Sequence, residues 1–442
     1  MLTTLRAYAR GPVLTAPGPR SAEMIRSIGA IRRDPLAFLA ASHRAHGPVV
    51  QFPVPVPPAY SVADAAVARK VLVENARNYD KQTMQYRGLS VLTGEGLLTA
   101  DGDVWRSARR TVQPAFHHEL VAQMRGAVVT AVDAACDRWR TVPAVDIEAE
   151  MMRIALEIVG TTLFSADLSA EAADLSAATM RALDAVVSRA QRPWAASMRI
   201  PTPANRVLRS SLASLDAAVE SLITHRLRNP VRETDMLALL MQAHNVTDGR
   251  AVPRPVRDEI VTFIVAGHET VASGLTWAWH LLLSHPERHR RLLDCTADPA
   301  EAQAYARAVF EEALRLYPPA WLITRRSIEP DTLGGHAVPG AALVIISPWV
   351  IHRDPQWWPE PEVFNPERFL REDDARRLAY LPFGIGQRMC IGREMALLEG
   401  AVALARIAER MELTLVGGES VGRIASVTLR PATHITAVAR PR

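Results

Sequence analysis

Apolar positions recur at helical spacing through most of the chain. Ser21–Gly47 carries Ile25, Ile28, Ile31, Leu36, Phe38 and Leu39 among arginines and predicts helix. Val49–Phe52 and Ala59–Val62 predict short strands around a proline-rich turn, and Ala63–Asn75 predicts the next helix. Tyr79–Leu98 predicts mostly irregular backbone. It ends in Gly94-Glu95-Gly96, read as a turn because the third glycine and preceding strand of a dinucleotide loop are missing. Asp103–Ala115, Val121–Arg140, Ile147–Leu163, Ala173–Gln191 and Val207–Leu227 follow as helices. Between the last two, Arg192–Asn205 breaks the pattern with Pro193, Pro201 and Pro203 and exposes Trp194 and Met198. Pro255–Ser284 is the longest apolar helical stretch, and Tyr305–Leu316 predicts another helix. A small β region is expected at Gly334–Pro339 and Leu343–Ser347. A meander with Trp357, Trp358 and four prolines follows. Gly392–Met411 returns to helix, and Glu412–Ala439 alternates as a terminal β hairpin does. The class expected is mainly α with small β regions.

Composition narrows the picture. A chain of 442 residues would ordinarily hold two or three domains. It has no Ser/Gly tract, repeat or long charge run, and its 48% hydrophobic content supports a large core, so one domain over 1–442 is expected. A formal charge of +4 is slight for this size and argues against nucleic-acid binding. Three cysteines, Cys136, Cys295 and Cys390, form no disulfide framework or metal-type spacing and suit a reducing compartment. The first twenty residues hold no apolar run long enough for a signal or a membrane span. A cytoplasmic monomer without membrane attachment is expected.

The candidate chemistry gathers at Phe383–Gly392. Cys390 lies between glycines, two positions after Arg388. A thiolate is a soft, strongly donating ligand suited to haem iron. Gly384 and Gly386 let a tight loop pass close under a flat macrocycle. Arg388 offers a cation to a haem propionate. Gly392 lets the next helix begin against the ring, and that helix's N–H groups stabilise the sulfur's charge. The five positions Phe383, Gly386, Arg388, Cys390 and Gly392 match the haem-binding signature of the cytochrome P-450 superfamily, and the chain resembles that family from Trp105 to its end. At average residue frequencies a chance match is roughly a one-in-ten-thousand event. The resemblance implies a single cytochrome P-450 domain with haem b (iron protoporphyrin IX) between the long central helix and the cysteine loop and its helix.

Other stretches read differently alone and within the family. Trp105 and Arg109 share a helix face, which by itself fits an indole packed on an arginine stem. In the family such a pair donates to a propionate. Gly267 is unfavourable in a helix by about 1 kcal/mol relative to Ala, which makes sense if the helix passes close to something flat or opens locally. Glu269 and Thr270 form an acid–alcohol pair within an apolar helix. They match the family's oxygen-activating motif, whose threonine hydroxyl bonds dioxygen while the acid relays protons. Glu312 and Arg315 alone would be a commonplace helix pair; with Arg368 they match the family's buried structural triad. Arg326, in preference to Arg325, is a third propionate candidate. His268-Glu269 lacks the second histidine of a zinc-protease helix, and His352-Arg353-Asp354 imitates a kinase loop without its asparagine or phosphate loop.

The resemblance therefore implies a haem-thiolate monooxygenase that uses O2 and electrons from NAD(P)H. The electrons arrive through a separate ferredoxin and ferredoxin reductase. Arg106, Arg110, His117, His118 and Arg393 are a candidate basic face for that acidic partner, with ordinary surface charge the alternative. Met84, Leu89, Trp194, Ile264, Val265, Ala266, Trp321, Leu322 and Ile424 are candidate pocket residues. No charged anchor stands among them, so a bulky apolar molecule is expected, a specialised metabolite such as a terpenoid first. A polyketide- or peptide-derived substrate, with oxidative coupling or cyclisation, is the alternative. A peroxide-driven haem enzyme is a rival that would not need Glu269 and Thr270. A non-catalytic haem protein is another, disfavoured by an apolar cavity and by the Arg192–Asn205 loop, which the resemblance implies is a lid that gates substrate entry.

Overall fold

The computed structural model describes residues 14–53, 58–169, 172–190, 197–198, 200–230, 235–248, 252–371, 373–417 and 421–442. The chain gathers into two units. One is built from Met1–Gln85, Arg315–Val363 and Glu372–Cys390, the other from Tyr86–Leu314, Phe364–Arg371 and Ile391–Arg442.

The first unit is organised on a five-stranded sheet in the order Val49–Phe52, Ala59–Val62, Leu343–Ile346, Ile323–Ser327, Tyr79–Asp80. The Ala59–Val62 and Leu343–Ile346 pair is parallel and the others antiparallel. The first two strands are buried at every position, which is why they read as continuous runs without alternation. The expected helix over 21–47 is two helices, Ser21–Arg33 and Pro35–His46. Pro35 keeps Asp34 out of helical geometry, and the Asp34 carboxylate caps the second helix through Ala37 N–H (2.9 Å). The expected helix over 63–75 runs as Ala65–Arg69 and then widens into a π turn at Lys70–Glu74. Tyr79–Leu98, expected to be irregular, holds the edge strand and a helix, Met84–Thr93. Leu89 and Leu92 bury one face of that helix while Gly88 masks its period.

The second unit is helical. Its longest element, Arg254–Ser284, packs along Ile147–Phe164; Ala172–Ala190 packs on Pro203–Arg228, and Arg393–Arg410 on Arg125–Trp139. Near-contact packing requires small residues at the crossings: a Cβ on Gly400 would meet the Phe310 ring at 2.3 Å. The expected terminal hairpin is two nested ones. Met411–Leu415 pairs with Thr436–Pro441, and inside them Arg423–Ala425 pairs with Leu429–Pro431. The mainly helical class with small sheets is borne out. Among the described residues no helix is long and apolar enough to cross a membrane.

Candidate active site

Cys390 is exposed, whereas Cys136 and Cys295 are buried. Burial lifts the Cys136 thiol to about 11, so it is inert as a ligand. The Cys390 loop is a tight knot. Its N–H donates to the Phe383 carbonyl (2.9 Å), and Met389 N–H closes a 3-10 turn on the Gly386 carbonyl (3.0 Å). Gly384 and Gly386 sit at φ +65° and +76°, a region costly for any side chain. At Gly386 a Cβ would also lie 2.2 Å from the Leu72 carbonyl of the π turn. The loop thus holds an exposed thiol on a glycine-lined surface, flanked by half-buried Phe383 and Arg388, with Gly392 the N-cap of Arg393–Arg410.

Behind the loop stands a buried scaffold. Leu381 N–H donates to His352 Nε2 (2.8 Å), so His352 carries its proton on Nδ1 and gives it to the Arg315 carbonyl (3.0 Å). Burial first, and then the Arg315 charge, push His352 down to about 3, which keeps the ring neutral. Arg315, itself 0% exposed, donates to the carbonyls of His352 (2.9 Å), Pro361 (2.7 Å) and Val363 (3.2 Å) and lies over the Trp358 ring. The kinase-like tripeptide is therefore a strut beneath the cysteine loop. In the second unit, buried Glu312 accepts from Asn365 N–H (2.9 Å) with Arg368 Nε 3.4 Å away.

On the long helix every residue from Asp258 to Trp279 is buried except Ala266, Gly267 and Thr270. These three share a face, so the helix has one open window. Gly267 is also a crossing point: a Cβ there would come within 3.1 Å of Val159 Cγ2. Thr270 Oγ1 donates to the Ala266 carbonyl (2.7 Å). Glu269 points elsewhere, 3% exposed, and accepts a hydrogen bond from Thr428 Oγ1. Burial raises its carboxyl to about 7, with the Thr428 bond and Arg430 pulling the other way. Neighbours at i and i+1 on a helix do not face each other, so the acid and alcohol are adjacent in sequence but bonded to different partners. His268 is buried, bonds Ser176 Oγ (3.1 Å) and is held near 4 by desolvation.

A family profile described as cytochrome P450 matches residues 16–432. The chain belongs to the cytochrome P450 family. Cyclooctat-9-en-7-ol 5-monooxygenase of Streptomyces melanosporofaciens is 34% identical over 424 residues, 93% of this chain and 92% of that protein. Pentalenene oxygenase of Streptomyces avermitilis is 31% identical over 430 residues, 94% of each chain. The crystal structure of CYP175A1 from Thermus thermophillus superposes with a TM-score of 0.81 at 35% identity, over 96% of this chain and 100% of that one. The protein is a P450 monooxygenase, and the family implies haem iron. The exposed Cys390 thiol on a loop of positive-φ glycines fits a haem.

Other residues singled out in this P450 lie as follows. Trp105 is buried and Arg109 half-buried one turn on. Arg326 is engaged away from the expected role. It is the cross-strand partner of Asp80, and its guanidinium binds that carboxylate through Nε (3.1 Å) and Nη2. Arg325, on the opposite strand face and 6% exposed, is the remaining candidate. Leu89, Ile264, Val265 and Trp321 are buried and Leu322 half-buried, but Met84 and Ile424 are 69% and 43% exposed. Trp194 lies outside the described residues. Arg110, His117 and His118 are exposed; Arg106 pairs with Asp103 and Arg393 with Glu394. Sequence reasoning missed Thr428 and His352. A buried threonine beside the hairpin turn carried no local signal, and the histidine was legible only as a false motif.

Proposed function

We propose that this P450 hydroxylates or otherwise oxidises a bulky, apolar terpenoid with O2, drawing NAD(P)H electrons through a ferredoxin and its reductase. The observation that carries the reading is the window at Ala266, Gly267 and Thr270 on an otherwise buried helix. It puts one hydroxyl, that of Thr270, on the face of the helix that packing does not fully cover. When bound, haem supplies oxygen activation and one-electron chemistry.

The chain's residues take the remaining tasks. Cys390 would hold the iron. Trp105, Arg109, Arg388 and Arg325 bind the propionates, while Arg326 keeps the edge strand in place through Asp80. Glu312, Arg315 and Arg368 retain the fold around the cysteine loop. While Thr270 donates to the Ala266 carbonyl, its oxygen has lone pairs left for the window and accepts there. Glu269, with a carboxyl near 7, can both take and give a proton at working pH. Leu89, Ile264, Val265, Trp321 and Leu322 exclude water and meet hydrocarbon; exposed Met84 and Ile424 suit first contact with an apolar ligand. Both Streptomyces relatives are named for oxidising unsaturated ring compounds, which supports a terpenoid. Exposed Arg110, His117 and His118 offer a basic patch to an acidic ferredoxin.

Optical titration of the ferric enzyme with terpenoids, polyketides, cyclic dipeptides and fatty acids tests the substrate class. A shift from low to high spin with terpenoids alone is expected. A shift with fatty acids or cyclic dipeptides and none with terpenoids would overturn it.

A further inference from the structure

Glu269 meets the hydroxyl of a residue 159 positions further on. Thr428 is 4% exposed and stands directly before the inner strand Leu429–Pro431. The backbone beside it is fastened twice: the Leu429 carbonyl accepts from Ser273 Oγ (2.7 Å) and from Trp277 Nε1 (3.0 Å). Ser273 and Trp277 lie one and two turns beyond Glu269 on the same helix. Past Leu429, Arg430 is tied to Asp184 on helix Ala172–Ala190. The strand leaving the threonine is thus pinned at two successive residues, Leu429 and Arg430, which limits where the hydroxyl can be.

We propose that Thr428 is a positioning residue for the Glu269 carboxyl, holding it toward the hairpin turn through its hydroxyl. The proposal rests on the reading of Glu269 as the proton carrier. Charged side chains also act on the carboxyl. Arg430 favours its ionised form, while Asp184 and Glu148, from helices Ala172–Ala190 and Ile147–Phe164, oppose it. Burial raises the carboxyl most, and the Thr428 bond is the largest effect against burial. Take the hydroxyl away and a buried carboxylate loses a charge-assisted donor, so the group is neutral over a wider pH range. Thr428 stands in the turn of the hairpin whose first strand carries exposed Ile424. The element proposed to meet substrate is therefore also the element that orients the acid.

The test is an infrared pH titration of the resting, haem-loaded enzyme, following the Glu269 carboxyl band, assigned by its loss in Glu269→Gln. Thr428→Val, which keeps the shape, should move the midpoint up by about one to two pH units. Thr428→Ser should restore it. An unchanged midpoint in Thr428→Val would overturn the proposal. If the valine variant does not fold, Thr428→Ala against Thr428→Ser gives the same comparison. The pH profile of product formed per NAD(P)H is read alongside. It should follow the midpoint across Thr428→Val and Thr428→Ser. A midpoint that moves while Glu269→Gln leaves coupling untouched would instead refute Glu269 as the proton carrier.

Discussion

The N–H of Leu381 donates to Nε2 of His352 at 2.8 Å, so the chain entering the cysteine loop hangs from a buried, neutral imidazole. The other ring nitrogen anchors that imidazole to the Arg315 carbonyl at the end of helix Pro299–Leu316. Replacing His352 with Leu keeps the bulk but leaves two buried backbone groups unsatisfied. The expected cost is about 1–3 kcal/mol for each, seen as a lower urea midpoint together with faster haem loss to apomyoglobin. A variant as stable as the parent, with unchanged haem retention, would show that the strut is dispensable.

Arg315 carries three carbonyl bonds with 0% exposure. Arg315→Lys offers a point charge in place of a fork and cannot reach the same three acceptors. It should destabilise the fold by roughly 3–5 kcal/mol, the range for a disrupted buried charge network. Guanidinium denaturation of the pair of proteins measures it, and a change below about 1 kcal/mol would count against the scaffold role.

Thr270→Ala should leave substrate binding intact and divert reducing power to hydrogen peroxide, because the one hydroxyl in the helix window is gone. Thr270→Ser should recover most of the coupling. Peroxide and product measured per NAD(P)H consumed give the answer; equal coupling in Thr270→Ala would mean protons take another route.

Glu259 accepts Leu97 N–H at 3.1 Å, and burial lifts its carboxyl to about 7. A carboxyl whose folded pKa is raised binds more protons in the native state than in the unfolded one between its ordinary value and about 7. Its contribution is therefore most favourable below the ordinary value and is lost as pH rises to about 7. Glu259→Gln should flatten that part of the stability-against-pH curve, as followed by thermal melts from acid to neutral. A curve with the parent's slope would assign the pH dependence to other groups.

These expectations also mark what sequence can and cannot carry. The long helices were legible because their apolar stripes repeat locally, and Cys390 because its ligand loop is contiguous. The break at Asp34–Pro35 was written in the proline but overridden by the apolar count. Arg326 looked like a propionate ligand because Asp80, its partner, is 246 residues away. Thr428 was invisible for the same reason: only the return of the terminal hairpin brings its hydroxyl to Glu269. Glu269 and Thr270 look like one pair in the sequence because adjacency hides the turn between successive helix side chains.

The central claim is that the exposed thiol of Cys390 holds the iron. The reduced carbon monoxide difference spectrum of the parent and of Cys390→His tests it most directly. The parent should give the thiolate-ligated band and Cys390→His only the band of an imidazole-ligated haem. A thiolate band that persists in Cys390→His would contradict the account.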